Sequence, residues 1–322
     1  MKILITGVAG FIGYHLANKL LKTSNKIYGI DHLNNYYSSK LKKDRLKELK
    51  KNKNKLTFYK KDISDKKFVD KIFKLEKFDV IINLAAQAGV RYSITNPDSY
   101  IKRNIIGFYN ILEASRMNNI KHLIYASTSS VYGDNKQFPL TEKLFTNKPL
   151  TLYAATKLSN ELMAHAYSYL FKIKTTGLRF FTVYGPWGRP DMALFLFTKN
   201  IIANKPINVF NNGNHIRDFT YVEDIAEGIK KIVLSKKKTK EKYNIFNIGN
   251  DKPIHLIEYI NQIEKCLDKK AKKINLPLQQ GDIVKTHASI KKIKKYYNFK
   301  PVTNVEKGIS NFINWYKSYF SN

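Results

Sequence analysis

Short apolar runs alternate with longer amphipathic segments along roughly the first 180 residues of the chain. The runs are rich in Ile, Val, Leu and aromatic residues, and several have no polar face, as expected for strands covered on both sides. The segments between them are long enough for crossover helices. This alternation predicts an α/β fold, a Rossmann-like doubly wound parallel sheet. The predicted strands are 3–6, 27–30, 56–59, 80–84, 123–126 and 176–181, and the predicted helices are 11–21, 66–75, 99–117 and 152–170.

The pattern changes after Gly185. The next residues, 185–190, form a loop rich in Gly and Pro, and the periodic segments beyond it are shorter. Residues 220–223, with the sequence TYVE, have the form of a capping box and predict a helix that continues through Ile232. We therefore expect a nucleotide-binding domain over 1–185 and a smaller mixed α/β, substrate-binding part over 186–322. The chain is allowed to cross back between them, and a ligand crevice is expected where the two meet.

The charge of the chain first suggests a polyanionic partner. Its 322 residues are 43% hydrophobic, which excludes a disordered protein, and 57 Lys and Arg against 25 Asp and Glu give a net charge of +32. Only seven of these cations are Arg, and many Lys stand in runs such as Lys42-Lys43 and Lys236-Lys237-Lys238. Arg recognises phosphates and bases by geometry, whereas Lys is a point charge. We therefore favour a solvated Lys-rich surface over a specific nucleic-acid or membrane partner.

The single cysteine limits the chemistry further. Cys266 excludes an intramolecular disulfide and a cysteine zinc cluster, and its apolar helical neighbours indicate core packing. No apolar run approaches the roughly 20 residues of a membrane span. The apolar start of the chain resembles a short signal peptide but continues into the turn described next. A reduced, cytoplasmic protein without a metal site is therefore expected.

Three glycines follow the first predicted strand and open the first predicted helix. Gly7, Gly10 and Gly13 would let the chain turn tightly and bring backbone N–H groups to a pyrophosphate at the helix N-terminus. Asp31, at the end of the second strand, stands where a carboxylate accepts the adenosine ribose hydroxyls and disfavours a 2′-phosphate. A plain turn and a strand cap are the ordinary alternative. The order of strand, turn, helix, strand and acid favours an NAD site instead.

A hydroxyl cluster and a Tyr–Lys pair complete the pattern. Residues 127–130, with the sequence STSS, end the fifth strand, and their hydroxyls are expected to point into the crevice. Tyr153 and Lys157 are four residues apart and share one face of a helix. A neighbouring ammonium and a positive nicotinamide favour the phenolate of a tyrosine, whose free pKa is ~10. A surface Tyr–Lys pair is commoner in general, but in this context a catalytic base is the better interpretation.

These motifs, with Leu84-Ala85-Ala86-Gln87 and Arg179-Phe180-Phe181, resemble the extended short-chain dehydrogenase/reductases of the NAD-dependent epimerase/dehydratase family over nearly the whole chain. Within that family, residues 83–93, 179–193 and 217–221 resemble the UDP-glucuronate 4-epimerases. The resemblance implies an isomerase that converts UDP-glucuronate to UDP-galacturonate through a transient 4-keto sugar. Its NAD would stay tightly bound and be regenerated in each turnover. The resemblance also implies a homodimer formed through 99–117 and 152–170.

The resemblance also implies roles for individual residues. Tyr153, Lys157 and Thr128 would be catalytic. Arg189 would pair with the sugar carboxylate and hold it against loss of CO₂ from the β-keto acid. The implied cofactor-binding residues are Gly7, Gly10, Phe11, Ile12, Gly13, Asp31, Asn34, Asp62, Ile63, Leu84, Ala85, Ala86, Gln87, Asn104, Tyr153, Lys157 and Phe181. The implied substrate-binding residues are Arg91, Ser129, Ser130, Thr182, Arg189, Arg217 and Asp282.

Some alternatives stay open at the level of sequence. Ser129 and Ser130 stand where dehydratases of the family carry acids, and Thr182 stands where glucose/galactose epimerases usually carry Asn. A 4-epimerase of a neutral or N-acetylated UDP-hexose is one alternative, in which Arg189 would matter little. A non-catalytic basic NAD-binding protein is another. For Arg91, a structural ion pair is nearly as well supported as a substrate contact.

Overall fold

A computed structural model describes residues 1–51, 55–235, 239 and 241–320, so the lysine run 236–238 lies outside the described residues. The strands are β1 (Lys2–Thr6), β2 (Lys26–Asp31), β3 (Leu56–Lys60), β4 (Val80–Asn83), β5 (His122–Thr128), β6 (Thr175–Phe180), β7 (Thr182–Tyr184), β8 (Ile207–Phe210), β9 (Ile216–Arg217), β10 (Phe219–Tyr221), β11 (Tyr243–Ile248), β12 (Ile254–His255) and β13 (Lys273–Leu276). The helices are α1 (Phe11–Leu21), α2 (Ser39–Lys50), α3 (Lys66–Glu76), α4 (Tyr92–Thr95), α5 (Asp98–Tyr100), α6 (Gly107–Met117), α7 (Leu152–Phe171), α8 (Ala193–Ile202), α9 (Val222–Leu234), α10 (Leu256–Leu267), α11 (Lys291–Tyr297) and α12 (Val305–Phe320). Short helical segments lie at Ile101–Ile106 (π), Ser129–Tyr132 (3₁₀) and Asn211–Gly213 (3₁₀).

The central sheet is parallel throughout. In the described part of the chain it has seven strands in the order β11-β6-β5-β4-β1-β2-β3. From β1 the chain winds outward to β2 and β3, and it then returns through β4 to build the other half. The order reverses between β1 and β4, and ligands bind at the carboxyl ends of strands at such a switch point. The predicted doubly wound α/β fold is confirmed.

Apolar clusters cover both faces of the sheet. On one face the core contains side chains of α1, α9 and α11, and on the other it contains side chains of α3 and α6. Burial on both sides explains why the strand sequences lack a polar alternation: every residue of β4 and of β6 is buried. A third cluster joins α8, α10 and α12 with the short strands β8 and β10.

The second half of the chain completes the sheet of the first. Strand β11 pairs with β6 over their whole lengths, from Tyr243 opposite Thr175 to Ile248 opposite Phe180. Helix α9 packs against α1 on the same side of the sheet. The division of the chain at residue 185 stays a prediction, and the chain crosses back over that boundary.

Two local predictions need correction. The predicted helix over 99–117 is interrupted by the π-helical turn Ile101–Ile106. Helix α9 forms as predicted, but the capping box is wrong because the hydroxyl of Thr220 donates to Asp218 and no side chain caps the helix at Tyr221. Cys266 is half-buried in α10 beside the third cluster, as expected for a packing residue.

Two kinds of feature are absent from the residues that the structure describes. None of the helices is long and apolar enough to cross a bilayer. No group of three or more His, Cys, Asp or Glu side chains is arranged to hold a metal ion.

Candidate active site

A cavity of about 410 Å³ opens at the carboxyl ends of the central strands, in the size range of small-molecule sites. It lies where the sheet order reverses, as the fold class predicts. Of the predicted site residues it brings together Gly7, Gly10, Phe11, Ile12, Gly13, Asp31, Asn34, Asp62, Ile63, Leu84, Ala85, Ala86, Gln87, Thr128, Ser129, Ser130, Tyr153, Lys157, Phe181, Thr182 and Arg189. Asn104, Arg91, Arg217 and Asp282 do not line it.

The glycine turn leaves no room for side chains. Gly7 has φ +72°, and a Cβ there would lie 2.8 Å from the amide nitrogen of Ala85. A Cβ on Gly10 would lie 2.9 Å, and one on Gly13 only 2.1 Å, from the carbonyl oxygen of Gly7. The three glycines therefore keep the first turn of α1 against the end of β1 and leave its backbone open to the cavity. This is the cradle that a dinucleotide pyrophosphate requires.

An acid and a buried ammonium stand beside this cradle. The carboxylate of Asp31 accepts hydrogen bonds from the backbone N–H of Ala9 at 3.0 Å and of Leu33 at 2.8 Å. Lys42 donates to the carbonyl and the side-chain oxygen of Asn34 at 2.7 and 2.6 Å. Burial lowers the pKa of Lys42 to about 8, against the opposing charge of Asp31. The interpretation of Lys42 as a solvated surface cation is therefore wrong.

The predicted catalytic group lies on the wall made by the end of β5 and the start of α7. The hydroxyl of Thr128 donates to the hydroxyl of Ser130 at 3.2 Å and hydrogen-bonds the phenol of Tyr153. Burial raises the pKa of Tyr153, while the Thr128 hydrogen bond and the charge of Arg189 act in the opposite direction.

Lys157 lies one turn further along α7. It donates to the carbonyl of Ala126 at 2.9 Å, and burial lowers its pKa to about 8. The charge that acts on the pKa of the Tyr153 phenol is that of Arg189, so the predicted direct effect of Lys157 on this phenol stays a prediction.

Ser127 lines the cavity, but its hydroxyl is bound to a buried carboxylate. Its hydroxyl donates to Glu161 at 2.5 Å, and the same carboxylate receives two hydrogen bonds from Arg179 at 2.9 and 2.7 Å. Successive residues of a strand point to opposite sides, so the side chain of Ser127 points away from that of Thr128. Glu161, Arg179 and Ser127 form a buried polar group behind the catalytic wall.

A second wall carries Arg189, on the loop after β7. Its Nε and Nη2 donate to the two carboxylate oxygens of Asp191 at 3.0 and 2.5 Å. The phenol of Tyr36, from the loop between β2 and α2, donates to the same carboxylate at 2.9 Å. Burial opposes ionisation of Asp191, but Arg189 and Tyr36 together lower its pKa. Sequence analysis missed Tyr36 and Asp191, although Asp191 follows Arg189 by two residues.

Arg45 holds the loop of Arg189 from below. Its side chain is fully buried, and it donates to the carbonyls of Ala9, Trp187 and Gly188 at 2.9, 2.5 and 3.3 Å. No carboxylate of the described residues lies within ion-pair distance of this guanidinium. Burying a cation without a counter-ion costs free energy, and the hydrogen bonds to these carbonyls offset that cost. Because losing any of these bonds is unfavourable, the carbonyls are held in place. Arg45 stands four residues from Leu41 and from Leu49, on the buried stripe of α2, and this was the sequence signal for its burial.

A second support comes from α1. His15 faces the carboxylate of Glu223 through Nδ1 at 2.5 Å and the carbonyl of Pro186 through Nε2 at 2.8 Å. Through these two contacts the ring of His15 joins α1, α9 and the loop of Arg189. The hydrogen bonds and charges of His15 and Lys19 outweigh burial and lower the pKa of Glu223 to about 2.

The remaining predicted substrate residues gather beside the cavity. The Nη2 atom of Arg91 lies 3.8 Å from Oδ2 of Asp282, and its Cζ atom lies 5.0 Å from the ring centroid of Phe210. Arg217 donates to the carbonyl of Val284 at 2.8 Å, and burial lowers its pKa to about 10. These residues form a cationic and aromatic cluster outside the lining of the cavity, which we call the Arg91–Arg217 cluster.

The placement of Asn104 does not support a contact with the cofactor. Its side chain accepts from the backbone N–H of Gln87 at 2.8 Å and donates to the Gln87 carbonyl and to Thr156 at 3.0 and 3.1 Å. All of its hydrogen-bonding groups are therefore used inside the protein. Asn104 therefore holds the backbone of the loop at Gln87, which lines the cavity, without lining the cavity itself.

Comparison with known proteins identifies the family. The model of the NAD dependent epimerase/dehydratase family matches residues 3–249. The chain belongs to this family. Protein CapI of Staphylococcus aureus is 50% identical over 99% of this chain and 99% of its own length. UDP-glucuronate 4-epimerase 4 of Arabidopsis thaliana is 41% identical over 99% of this chain and 76% of its own.

A solved structure of the family is also similar. UDP-glucuronic acid 4-epimerase from Bacillus cereus, in complex with UDP-glucuronic acid and NAD, superposes with a TM-score of 0.94 at 34% identity over 99% of this chain and 100% of that one. The predicted membership and the predicted cofactor, NAD, are confirmed.

Proposed function

We propose that this protein is a UDP-glucuronate 4-epimerase, an isomerase that interconverts UDP-glucuronate and UDP-galacturonate. The observation that carries the proposal is that one cavity contains both a set of proton-transfer groups and a cation for the sugar carboxylate. Thr128, Tyr153 and Lys157 form one wall, and Arg189 stands on the other. The relatives and the solved structure of this name support the same substrate.

The residues present fit NAD. The glycine turn offers a cradle that a Cβ would fill, and Asp31 stands at its adenosine end. When bound, NAD supplies the acceptor for the hydrogen and electron pair of the sugar C4, and their donor in the reverse step. The roles of Gly7, Gly10, Gly13 and Asp31 in holding it are part of this proposal.

Tyr153 would move the proton of the sugar 4-hydroxyl. Loss of this proton to the phenolate, together with loss of hydride from C4, gives a 4-keto sugar. Thr128 touches the phenol and would hydrogen-bond the same sugar oxygen. Return of hydride to the other face, with the proton from Tyr153, gives the epimer, so atoms and electrons balance over the cycle. Lys157, held at the Ala126 carbonyl beside Tyr153, would hold the nicotinamide ribose.

Arg189 would hold the carboxylate of the sugar. A 4-keto glucuronate is a β-keto acid and loses CO₂ when its carboxylate can rotate out of the ring plane. A guanidinium binds a carboxylate through two parallel hydrogen bonds and so fixes its orientation. Ser129, Ser130 and Thr182 line the cavity beside it and offer hydroxyls but no acid for eliminating water.

The Arg91–Arg217 cluster would bind the uridine diphosphate. Arg217 and Arg91 provide positive charge for the diphosphate, Asp282 an acceptor for ribose hydroxyls, and Phe210 an aromatic surface. Arg91 also pairs with Asp282, so it has a structural role in addition to the proposed contact with the diphosphate.

Two further features belong to the proposal. Helix α7 exposes Leu162, Tyr169 and Leu170, and the neighbouring segment exposes Ile106 and Tyr109. Exposed apolar residues at this density support a homodimer through these helices. The half-buried free thiol of Cys266 supports a reducing, cytoplasmic location.

One experiment tests the function directly. The purified protein is incubated with UDP-glucuronate, and the nucleotide sugars are separated and identified. UDP-galacturonate as the main product, with little CO₂ released, is expected. UDP-pentose as the main product would replace the proposal by a decarboxylase, and turnover of UDP-glucose alone would replace it by a neutral-sugar epimerase.

A further inference from the structure

Two N–H donors of the Arg189 guanidinium are already hydrogen-bonded within the protein before any sugar binds. Asp191 takes the Nε and Nη2 side through two hydrogen bonds, at 3.0 and 2.5 Å. A guanidinium has five N–H donors in a planar fork, so this arrangement leaves the Nη1 edge for a second carboxylate. The carboxylate of a bound glucuronate would therefore share Arg189 with Asp191.

Asp191 is held in this position from a second direction. The phenol of Tyr36 donates to one of its oxygens at 2.9 Å, and the Tyr36 ring lies 5.8 Å below the Arg189 guanidinium. Tyr36 belongs to the loop between β2 and α2, which contacts the loop of Arg189 through these two interactions. Asp191 stays ionised there, since Arg189 and Tyr36 lower its pKa in spite of burial. Its negative charge is therefore a fixed part of the site.

The negative charge of Asp191 weakens the binding of a substrate carboxylate and favours its release. A second carboxylate on the same guanidinium feels the repulsion of the first, and in a partly buried site such repulsion is only weakly screened. The substrate acid is therefore bound less tightly than an unshared Arg would bind it. The reaction requires a limited affinity of Arg189 for the carboxylate. The keto sugar has to dissociate from Arg189 and turn over before hydride returns to its other face.

We propose that Asp191 is a positioning residue that makes the Arg189 clamp releasable: it orients the guanidinium and weakens its hold on the sugar carboxylate, so that the keto acid turns over. This inference rests on the proposed function. It differs from a purely structural role of Asp191, in which loss of the acid would disorder Arg189 and weaken substrate binding.

The experiment compares Asp191→Asn and Asp191→Ala with the wild-type holoenzyme. Calorimetry with UDP-glucuronate is expected to give a Kd about tenfold lower in both variants, the order of effect of removing a nearby like charge. The Kd for UDP-glucose, which has no carboxylate, is expected to stay unchanged. The kcat for UDP-glucuronate is expected to fall several-fold, with reduced nicotinamide accumulating at steady state because turning over of the bound keto acid becomes slow.

Three controls separate charge from structure. Asp191→Glu keeps the charge and is expected to restore the wild-type Kd. Tyr36→Phe removes the hydrogen bond that holds Asp191 but no charge, so it is expected to change Kd by less than the Asp191 variants do. Asp134→Asn removes an equal charge from an exposed pair with Lys136 and is expected to change nothing.

The outcomes are distinct. A higher Kd for UDP-glucuronate in Asp191→Asn and Asp191→Ala would overturn the inference in favour of a structural role. An unchanged Kd would overturn it as well, since the acid would then not act on the clamp. Absence of any UDP-galacturonate from the wild-type enzyme would instead defeat the proposed function, and this is seen before any variant is made.

Discussion

The two walls of the cavity are built in different ways. On the wall of Thr128, Tyr153 and Lys157, regular structure sets each position: one residue ends β5, and the other two are one turn apart on α7. On the wall of Arg189, an irregular loop is fixed by side chains from distant segments, namely Arg45, His15 and Tyr36. In the proposed reaction the first wall carries the groups that move the proton, and the second wall binds the sugar carboxylate. The two proposed roles therefore depend on different kinds of local structure.

The largest expected effect is the loss of the phenol on the first wall. Tyr153→Phe removes the group that moves the proton, and kcat is expected to fall by ~10³-fold for any sugar tested. The cofactor is expected to remain bound, because the glycine turn is untouched. Turnover assays and the absorbance of bound nucleotide measure both. Tyr296→Phe, an equal change on α11, serves as the control, and full activity of Tyr153→Phe would refute the assignment of the base.

Loss of the cation on the second wall is expected to act on acids alone. Arg189→Ala should lower kcat/KM for UDP-glucuronate by about 10²-fold, the size expected when a desolvated charge pair loses one partner. A larger fraction of turnovers should end in CO₂, since the keto acid is no longer held. Product analysis with labelled carboxylate measures this fraction, and Arg116→Ala, a surface pair with Glu113, is the control. An unaffected rate would favour a neutral UDP-hexose as the substrate.

The smallest expected effect concerns the support of the second wall. The pKa of Glu223 is lowered to about 2 in the folded protein, so its contribution to stability is full above its ordinary pKa of about 4.5 and is lost as the pH falls toward 2. Glu223→Gln should therefore lower Tm by on the order of 2 °C at neutral pH. The difference from wild type should shrink between about pH 4.5 and 2.

Thermal melts across this range measure the effect of Glu223→Gln. Glu227→Gln, one turn along α9, pairs with Lys19 and Lys230 but not with His15, and it provides the matched control. A difference that stayed constant over the whole pH range would show that the carboxylate of Glu223 is not responsible.

The contrast between the walls also explains what the sequence could predict. Periodicity placed Tyr153 and Lys157 on one helix face, and the glycine spacing placed the cofactor turn, because both depend on local geometry. Ser127 was misplaced because strand alternation turns it toward Glu161, which is 34 residues away in sequence. Lys42 and Arg45 lie in a helix dominated by Lys, whose charges hid the Leu41–Arg45–Leu49 stripe. Their partners come from other segments, and no pattern within the helix identifies those partners.

Strand β11 was missed for a related reason. It belongs to the second half of the chain, where the short periodic segments suggested a separate small part. Its neighbour β6 is buried along its whole length, and this burial depends on residues that follow β6 by more than sixty positions in sequence. The sequence pattern indicated a mixed α/β region with short helices and strands there, but it gave no sign of the sheet to which one of those strands would add.

The position of β11 also determines when the molecule can fold during its synthesis. A ribosome that has released only the first 185 residues has produced six strands of the central sheet, but the outer edge of β6 still has its backbone N–H and C=O groups unpaired. Such an edge is a template for pairing with other chains. The nascent nucleotide-binding half is therefore exposed to aggregation until about sixty further residues have emerged, and it becomes a finished unit only when β11 docks.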